Sequence, residues 1–453
     1  MNKTTNIKQT YSLDFYSILL YILVSLSFPG TYKVIMPIII VLTGFQVYRL
    51  INKRITTTYF SNTYFYLLVF SLLFFRSVHT LLLIINLCFH FYIFFNNKPK
   101  NKRKTVTPEI YILVFFGLIL INYLIHTPYL KGIETYLYLL LYPLLFICIK
   151  RQPIAVEISK MIKVYITSVV IAVLYLLIVN LIYDRLIFST NTYFSDYFGI
   201  IHVYLGMFIG LAVCFLLAFI TKQKIYIAKT IDYFLLAFFI LILIYIGARI
   251  ALLAVILIVI VTIYKKIQLK WYKKSTIMVA MMVGMFVLSY NSIPRVKRGL
   301  NSIERIYTSV KTDNQEDLKH NSWKNMYKRF LVTKYTLREI KENYLIGIGN
   351  KNVKEVISTK IINDGYVYFE PINTHNQYLH FLIGMGFPSF LFFMWLLFHY
   401  YKNYVYDISS LYFLLFFLII MLTESLLVRV KGISLFFMFY LIFSLRDKKR
   451  LHV

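Results

Sequence analysis

The stretch Phe234-Leu235-Leu236-Ala237-Phe238-Phe239-Ile240-Leu241-Ile242-Leu243-Ile244-Tyr245-Ile246-Gly247-Ala248-Arg249-Ile250-Ala251-Leu252-Leu253-Ala254-Val255-Ile256-Leu257-Ile258-Val259-Ile260-Val261 decides the fold. It is apolar throughout except for one arginine near its middle. One membrane crossing takes about 20 residues, so with its flanks, residues 228–266, this run is long enough for two, joined tightly at Gly247-Ala248-Arg249. Similar runs recur along the whole chain: 59% of its 453 residues are hydrophobic and the mean hydropathy is +0.68. The runs are continuous rather than alternating, which disfavours a β-barrel. The fold class is therefore all-α: a polytopic membrane protein.

About fourteen spans are predicted, near 13–29, 32–50, 60–76, 78–95, 108–126, 132–149, 157–182, 197–221, 228–247, 249–266, 275–292, 376–400, 408–427 and 430–446. This divides the chain into residues 1–292 with eleven spans, an external loop 293–375, and residues 376–453 with three spans and a basic tail. The third and fourth spans are nearly continuous, with Arg76-Ser77 between them.

The formal net charge of +30 does not point to nucleic acid, because the sequence contains no nucleic-acid-binding module. Most of the lysines and arginines lie in short loops, where they set topology. Lys53/Arg54, the run Lys98 to Lys104, Lys150/Arg151, Lys222/Lys224/Lys229, Lys265 to Lys274 and the tail Arg446 to Arg450 fall on alternate loops. By the positive-inside rule these loops and both termini are cytoplasmic, and the 293–375 loop is external. The first apolar run has no small-residue cleavage site and is followed by further spans, so it reads as a span rather than a signal peptide. Cys88, Cys148 and Cys214 lie in apolar runs and read as buried thiols.

The long loop has structure of its own. Thr312-Asp313-Asn314-Gln315-Glu316-Asp317 reads as a polar tip. Residues 318–343 read as a surface helix, because Trp323, Met326, Tyr327, Phe330, Leu331, Tyr335, Leu337 and Ile340 recur at helical spacing. Such a helix is expected to lie on the membrane like a lid. An apolar turn, Leu345-Ile346-Gly347-Ile348-Gly349, follows it.

The external side collects Arg76, Arg185, Arg249, Arg329 and Arg429 at span ends or on the loop helix. A charge at the bilayer centre costs roughly 2.5–3.5 kcal/mol on insertion scales, so charges in or beside spans tend to face cavities. The structural alternative is snorkelling to headgroups. Arginines converging on one cavity suit a pyrophosphate, through bidentate charge-assisted bonds. The sequence has no Asp-x-Asp pair and no metal-ligand spacing, so no metal and no cofactor is expected. Transfer from a pyrophosphate then needs charge stabilisation and a base for the incoming hydroxyl. His375, at the loop exit in Asn373-Thr374-His375-Asn376-Gln377-Tyr378-Leu379, is the candidate base. Its structural alternative is a helix cap. Asn376, His202, Tyr204 and Arg429 are candidate substrate contacts. Glu424 reads as a structural partner of Arg429 within a late span, and Gly347 and Gly349 read as structural.

Thr374-His375-Asn376-Gln377-Tyr378-Leu379 with Gly384-Met385-Gly386 resembles the His-Asn-x-x-Leu and glycine signature of the O-antigen ligase/polymerase (Wzy and WaaL-like) superfamily. The run from Arg329 to Lys341-Glu342-Asn343-Tyr344-Leu345-Ile346-Gly347-Ile348-Gly349 is similar to that family's arginine, amphipathic helix and glycine turn. Gly247-Ala248-Arg249-Ile250-Ala251-Leu252 resembles its Ser-Arg-x-x-Leu element. Ile201-His202-Val203-Tyr204-Leu205 resembles the His-Pro-x-Tyr-Leu element of some polymerases. Ala248 and Val203 depart from the usual serine and proline, and the likeness covers about residues 195–445.

The resemblance implies a metal-independent, inverting membrane glycosyltransferase of the GT-C type in the bacterial inner membrane. Its donor would be an undecaprenyl-pyrophosphate-linked oligosaccharide. Carried over by position, His375 would activate the acceptor hydroxyl, and Arg249 and Arg329 would hold the pyrophosphate. Arg185 and Arg76 join them by sidedness only. Membrane lipid, a flippase and a chain-length regulator are the expected partners, with no nucleic acid. A polymerase of repeat units is the first reading, on the His202-Val203-Tyr204 element. A ligase acting on lipid A-core is the nearest alternative. A polysaccharide flippase is a third, which the lack of an internal repeat disfavours.

Overall fold

The computed structural model describes residues 14–27, 31–96, 107–127, 130, 132–151, 157–182, 202–222, 226–266, 325–366 and 372–445, with a few isolated positions between 301 and 311. Among the described residues the regular secondary structure is helical. Seven helices are long and apolar enough to cross a membrane: α2 (Tyr32–Ile51), α4 (Arg76–Asn96), α5 (Thr107–His126), α7 (Ile158–Ile182), α8 (His202–Lys222), α13 (Gln377–Tyr404) and the segment that ends in α6 (Tyr138–Lys150). Shorter apolar helices accompany them: α1 (Phe15–Ser25), α9 (Tyr226–Tyr245), α10 (Arg249–Lys266), α14 (Ile408–Met421) and α15 (Val430–Ser444). α3 (Thr57–Phe70) is almost wholly buried among them. The chain is a multi-pass membrane protein. The expected spans other than 275–292 each fall on a helix, and that one lies outside the described residues.

Ion pairs join neighbouring helices in the bundle. Glu109, in the first turn of α5, meets Lys150, at the end of α6, at 2.7 Å with both side chains buried. Asp14, the cap of α1, pairs with Arg49 in the last turn of α2. Lys431 in the first turn of α15 donates to the carbonyls of Leu72 and Leu73 at 3.0 Å and to that of Phe74. These carbonyls follow α3, so a cation sits where helix ends leave acceptors unpaired. Cys88 differs from expectation: it is exposed, on an outward face of α4. An apolar run fixes that a residue lies in a span, not which face it occupies.

The loop helix is α11 (Asn325–Glu342), and protein fills its buried face. Its buried face, Tyr327, Leu331, Val332 and Tyr335, packs with Val353, Ile357 and Ile361 of α12 (Val353–Asn363) and with Ile383 of α13. α12 was not expected from the sequence, where Val353, Val356, Ile357, Ile361 and Ile362 mark it within a polar loop. Lys360 clamps the two helices by pairing with Glu339, and with Glu342 at 3.3 Å. The Tyr335 hydroxyl donates to Asp364.

α13 breaks at Gly386, where φ is +77°. The turn after α11 docks in this break. Ile348 and Gly349 donate from their amides to the carbonyls of Ile383 (2.9 Å) and Gly384 (3.1 Å), and Phe387 donates to Tyr344 (2.7 Å). Asn122 of α5 ties both strands of the junction, donating to Gly384 (3.0 Å) and Ile346 (3.3 Å) and accepting from the Asn350 amide (3.0 Å). A methyl group on Gly386 would collide with the Leu345 carbonyl. The left-handed backbone adds roughly 1–2 kcal/mol for a residue with a side chain. Gly386→Ala is therefore expected to lower the thermal unfolding temperature of the detergent-solubilised protein clearly. An unchanged melting curve would show that the junction is not held as described.

Candidate functional site

The start of α13 is built by local capping. The Asn376 side chain accepts from the Leu379 amide at 3.0 Å and donates to the Leu422 carbonyl at 3.1 Å. Its amide is thus engaged by backbone at both ends, and Asn376 serves as the helix cap. His375 is left just outside the helix with φ at +50°, a left-handed conformation uncommon for a residue with a side chain. It is not the cap, and its ring is free to turn towards the α14–α15 connection.

That connection is also fixed by residues around it. Thr374 and Ser425 share a hydroxyl hydrogen bond of 2.9 Å. The Leu427 amide donates to the buried side-chain Oε1 of Gln377 at 2.6 Å. Between these ties sits Glu424, in a turn after α14 rather than inside a span. One of its oxygens accepts from Arg329 at 3.1 Å and the other meets His375 Nδ1 at 3.1 Å. The expected Glu424–Arg429 pair is therefore corrected: the partners of Glu424 are 95 and 49 positions away in the chain. Burial works to raise the Glu424 carboxyl. The hydrogen bond and charge of His375 and the Arg329 guanidinium outweigh it, and the carboxyl is held below its ordinary value of 4.5.

A carboxylate oxygen only accepts, so Nδ1 of His375 carries the hydrogen. In the neutral imidazole this leaves Nε2 with its lone pair. The His375 side chain keeps 26% of its exposure and that of Arg329 keeps 41%, so both reach solvent at the mouth of the site. The carboxylate between them is 16% exposed. The arrangement suits a base with a fixed tautomer beside a guanidinium.

Arg429 belongs to the same end of the bundle through a different partner. Its guanidinium lies over the Tyr204 ring, 5.7 Å from the centroid. The Tyr204 hydroxyl reaches the Leu426 carbonyl at 3.5 Å. Arg249 begins α10 and is exposed. Ala248 lies so close to Gly206 that a methyl group there would overlap it, which sets the start of α10 within a turn of Tyr204. Arg76 begins α4 and is exposed. It adjoins the turn that Lys431 holds against the start of α15. His202 begins α8, but its side chain lies outside the described residues, as does Arg185 altogether. Gly347 and Gly349 have left-handed backbone in the docked turn.

Sequence reading missed the joint partnership of Glu424, and it missed Lys431 and Gln377. A lone glutamate between apolar runs was visible, but no local spacing tied it to Arg329 or His375. Among the described residues no three His, Cys, Asp or Glu side chains are grouped to hold a metal ion.

No curated protein matches the chain. Residues 234–394 match the family model described as O-Antigen ligase. The matched region runs from α9 through α10 and α11 into α13, and includes Arg249, Arg329 and His375. For residues 234–394 this match supports the resemblance to the O-antigen ligase/polymerase superfamily.

Proposed function

We propose that the protein is a glycosyltransferase that polymerises undecaprenyl-pyrophosphate-linked oligosaccharide units. It acts on the external face of the bacterial inner membrane, with both termini in the cytoplasm. The observation that carries this reading is the Glu424 carboxylate shared between Arg329 and His375. His375 Nε2 takes the proton of the acceptor hydroxyl as its oxygen attacks the anomeric carbon of the donor. The bond from that carbon to the pyrophosphate oxygen breaks, the configuration inverts, and undecaprenyl pyrophosphate leaves. Arg329 and Arg249 receive the negative charge that develops, with Arg76 and Arg429 at the same end of the bundle. Guanidinium groups meet the charge that a divalent cation carries in other transferases, so the reaction is metal-independent. Arg185 is retained in this set by sidedness alone. Helices around an external site, with a small helical unit over it, agree with a GT-C-like architecture.

Polymerase is favoured over ligase by the His202-Val203-Tyr204 element, whose tyrosine lies against Arg429. The two are separated by supplying the purified protein with lipid-linked repeat units and no other acceptor. A ladder of polyprenyl-linked oligomers is expected. Transfer only after a lipid A-core acceptor is added would establish a ligase. Passage of unchanged lipid-linked oligosaccharide across a vesicle membrane, with no new glycosidic bond, would establish a flippase. In the same assay Arg249→Lys is expected to fall well below wild type, because an ammonium cannot form the planar fork. A wild-type ladder would leave Arg249 as a headgroup contact.

A further inference from the structure

The turn between α11 and the glycine pair has buried backbone and exposed side chains. Gly347, Gly349 and Asn350 are buried, while Tyr344, Leu345 and Ile346 are 53%, 56% and 56% exposed. Three consecutive large apolar side chains facing water would be unfavourable, and isolated exposure does not explain a cluster. The protein's own external helices do not cover them: the apolar face of α11 is filled by α12 and Ile383.

The cluster is continuous with surfaces that face lipid. Phe387, whose amide bonds the Tyr344 carbonyl, is exposed, and below it on α13 so are Leu391, Trp395 and Phe398. On the neighbouring α5, Ile121, Leu124 and Ile125 are exposed in the last turns, beside Asn122, which holds the Ile346 carbonyl. Both α5 and α13 are long and apolar enough to cross the membrane. The turn therefore tops one uninterrupted apolar face.

The backbone is prepared for that setting. Non-helical chain at membrane depth must have its polar groups satisfied by protein. Here the Tyr344 and Ile346 carbonyls and the Ile348 and Gly349 amides all bond α13 or α5. Tyr344 is also of the residue class that settles at a membrane interface.

The geometry points to residues 344–346 as an anchor that inserts into the acyl region of the surrounding lipid leaflet, holding the α11–α12 unit at a fixed depth. Arg329, on α11, is thereby held at a set height above the membrane. The anchor does not depend on the reaction proposed above, and its test does not require activity.

Leu345→Cys, in a chain whose three cysteines are replaced, is labelled with an environment-sensitive fluorophore and reconstituted in phosphatidylcholine/phosphatidylglycerol vesicles. Lys334→Cys on the exposed side of α11 and Leu391→Cys on α13 serve as references. The label at 345 is expected to emit to the blue of that at 334, and to be quenched by lipids carrying a nitroxide near the headgroup end of the acyl chain. Water-like emission at 345 would overturn the anchor. Blue-shifted emission without quenching would overturn it too, because the cover would then be protein rather than lipid. Ile346→Cys repeats the test if the first label disturbs folding.

Discussion

His375→Ala is expected to reduce the polymerisation rate by about 10²–10⁴-fold, the range that a positioned general base supplies. Alanine also inherits the +50° φ at this position, so some loss of stability accompanies the loss of the ring. His375→Asn separates the two effects. Asparagine tolerates the left-handed region better than other side chains, yet it has no group able to accept a proton near neutral pH. Both variants should insert in the membrane in normal amounts, and both should lack long-chain glycan. If His375→Asn keeps more than a tenth of the wild-type rate in the purified assay, another group is the base.

Glu424→Gln tests the group behind the base. The amide keeps the shape but removes the charge shared by Arg329 and His375, and it no longer fixes the imidazole tautomer. Partners that orient a working side chain typically account for about 10–100-fold in activity. The loss should appear in kcat more than in KM, because Glu424 acts through His375 rather than on substrate. A stability signature accompanies it. The folded carboxyl lies below its ordinary value of 4.5, so its contribution is complete above that pH. It is lost as the pH falls through the lowered folded value. As the pH falls below 4.5 the wild-type melting temperature should therefore drop more steeply than that of Glu424→Gln. Parallel curves, together with unchanged kcat, would remove Glu424 from the site.

The spans were legible because continuous apolar runs report membrane crossing directly, and α9 and α10 stand where Gly247-Ala248-Arg249 divides them. The glycine pairs were legible as signals, but not the joint they make: the docking of Gly347 and Gly349 against the break at Gly386 depends on contacts between distant segments. α12 escaped because it is short and lies in a polar loop, and its apolar positions do not show which of them, Val353, Ile357 and Ile361, the fold buries. At the site, His375 and Arg329 could be singled out by residue type and setting. The role of Glu424 could not, since a carboxylate between apolar runs resembles any structural ion-pair partner until the fold brings its two partners together. Asn376 shows the reverse: a residue inside a recognisable motif serves as a cap.

The end of the bundle that holds the site is also where α8, α10, α13 and α15 begin. Each helix start carries roughly half a positive charge from its aligned peptide dipoles. Amino ends on one side of the bundle lend it a general attraction for anions that no side-chain substitution removes. An anionic lipid headgroup can therefore be drawn in and retained even when one guanidinium is missing. Arginine variants should consequently lose more in turnover than in substrate capture, because the peptide dipoles supply general attraction while the guanidiniums supply direction.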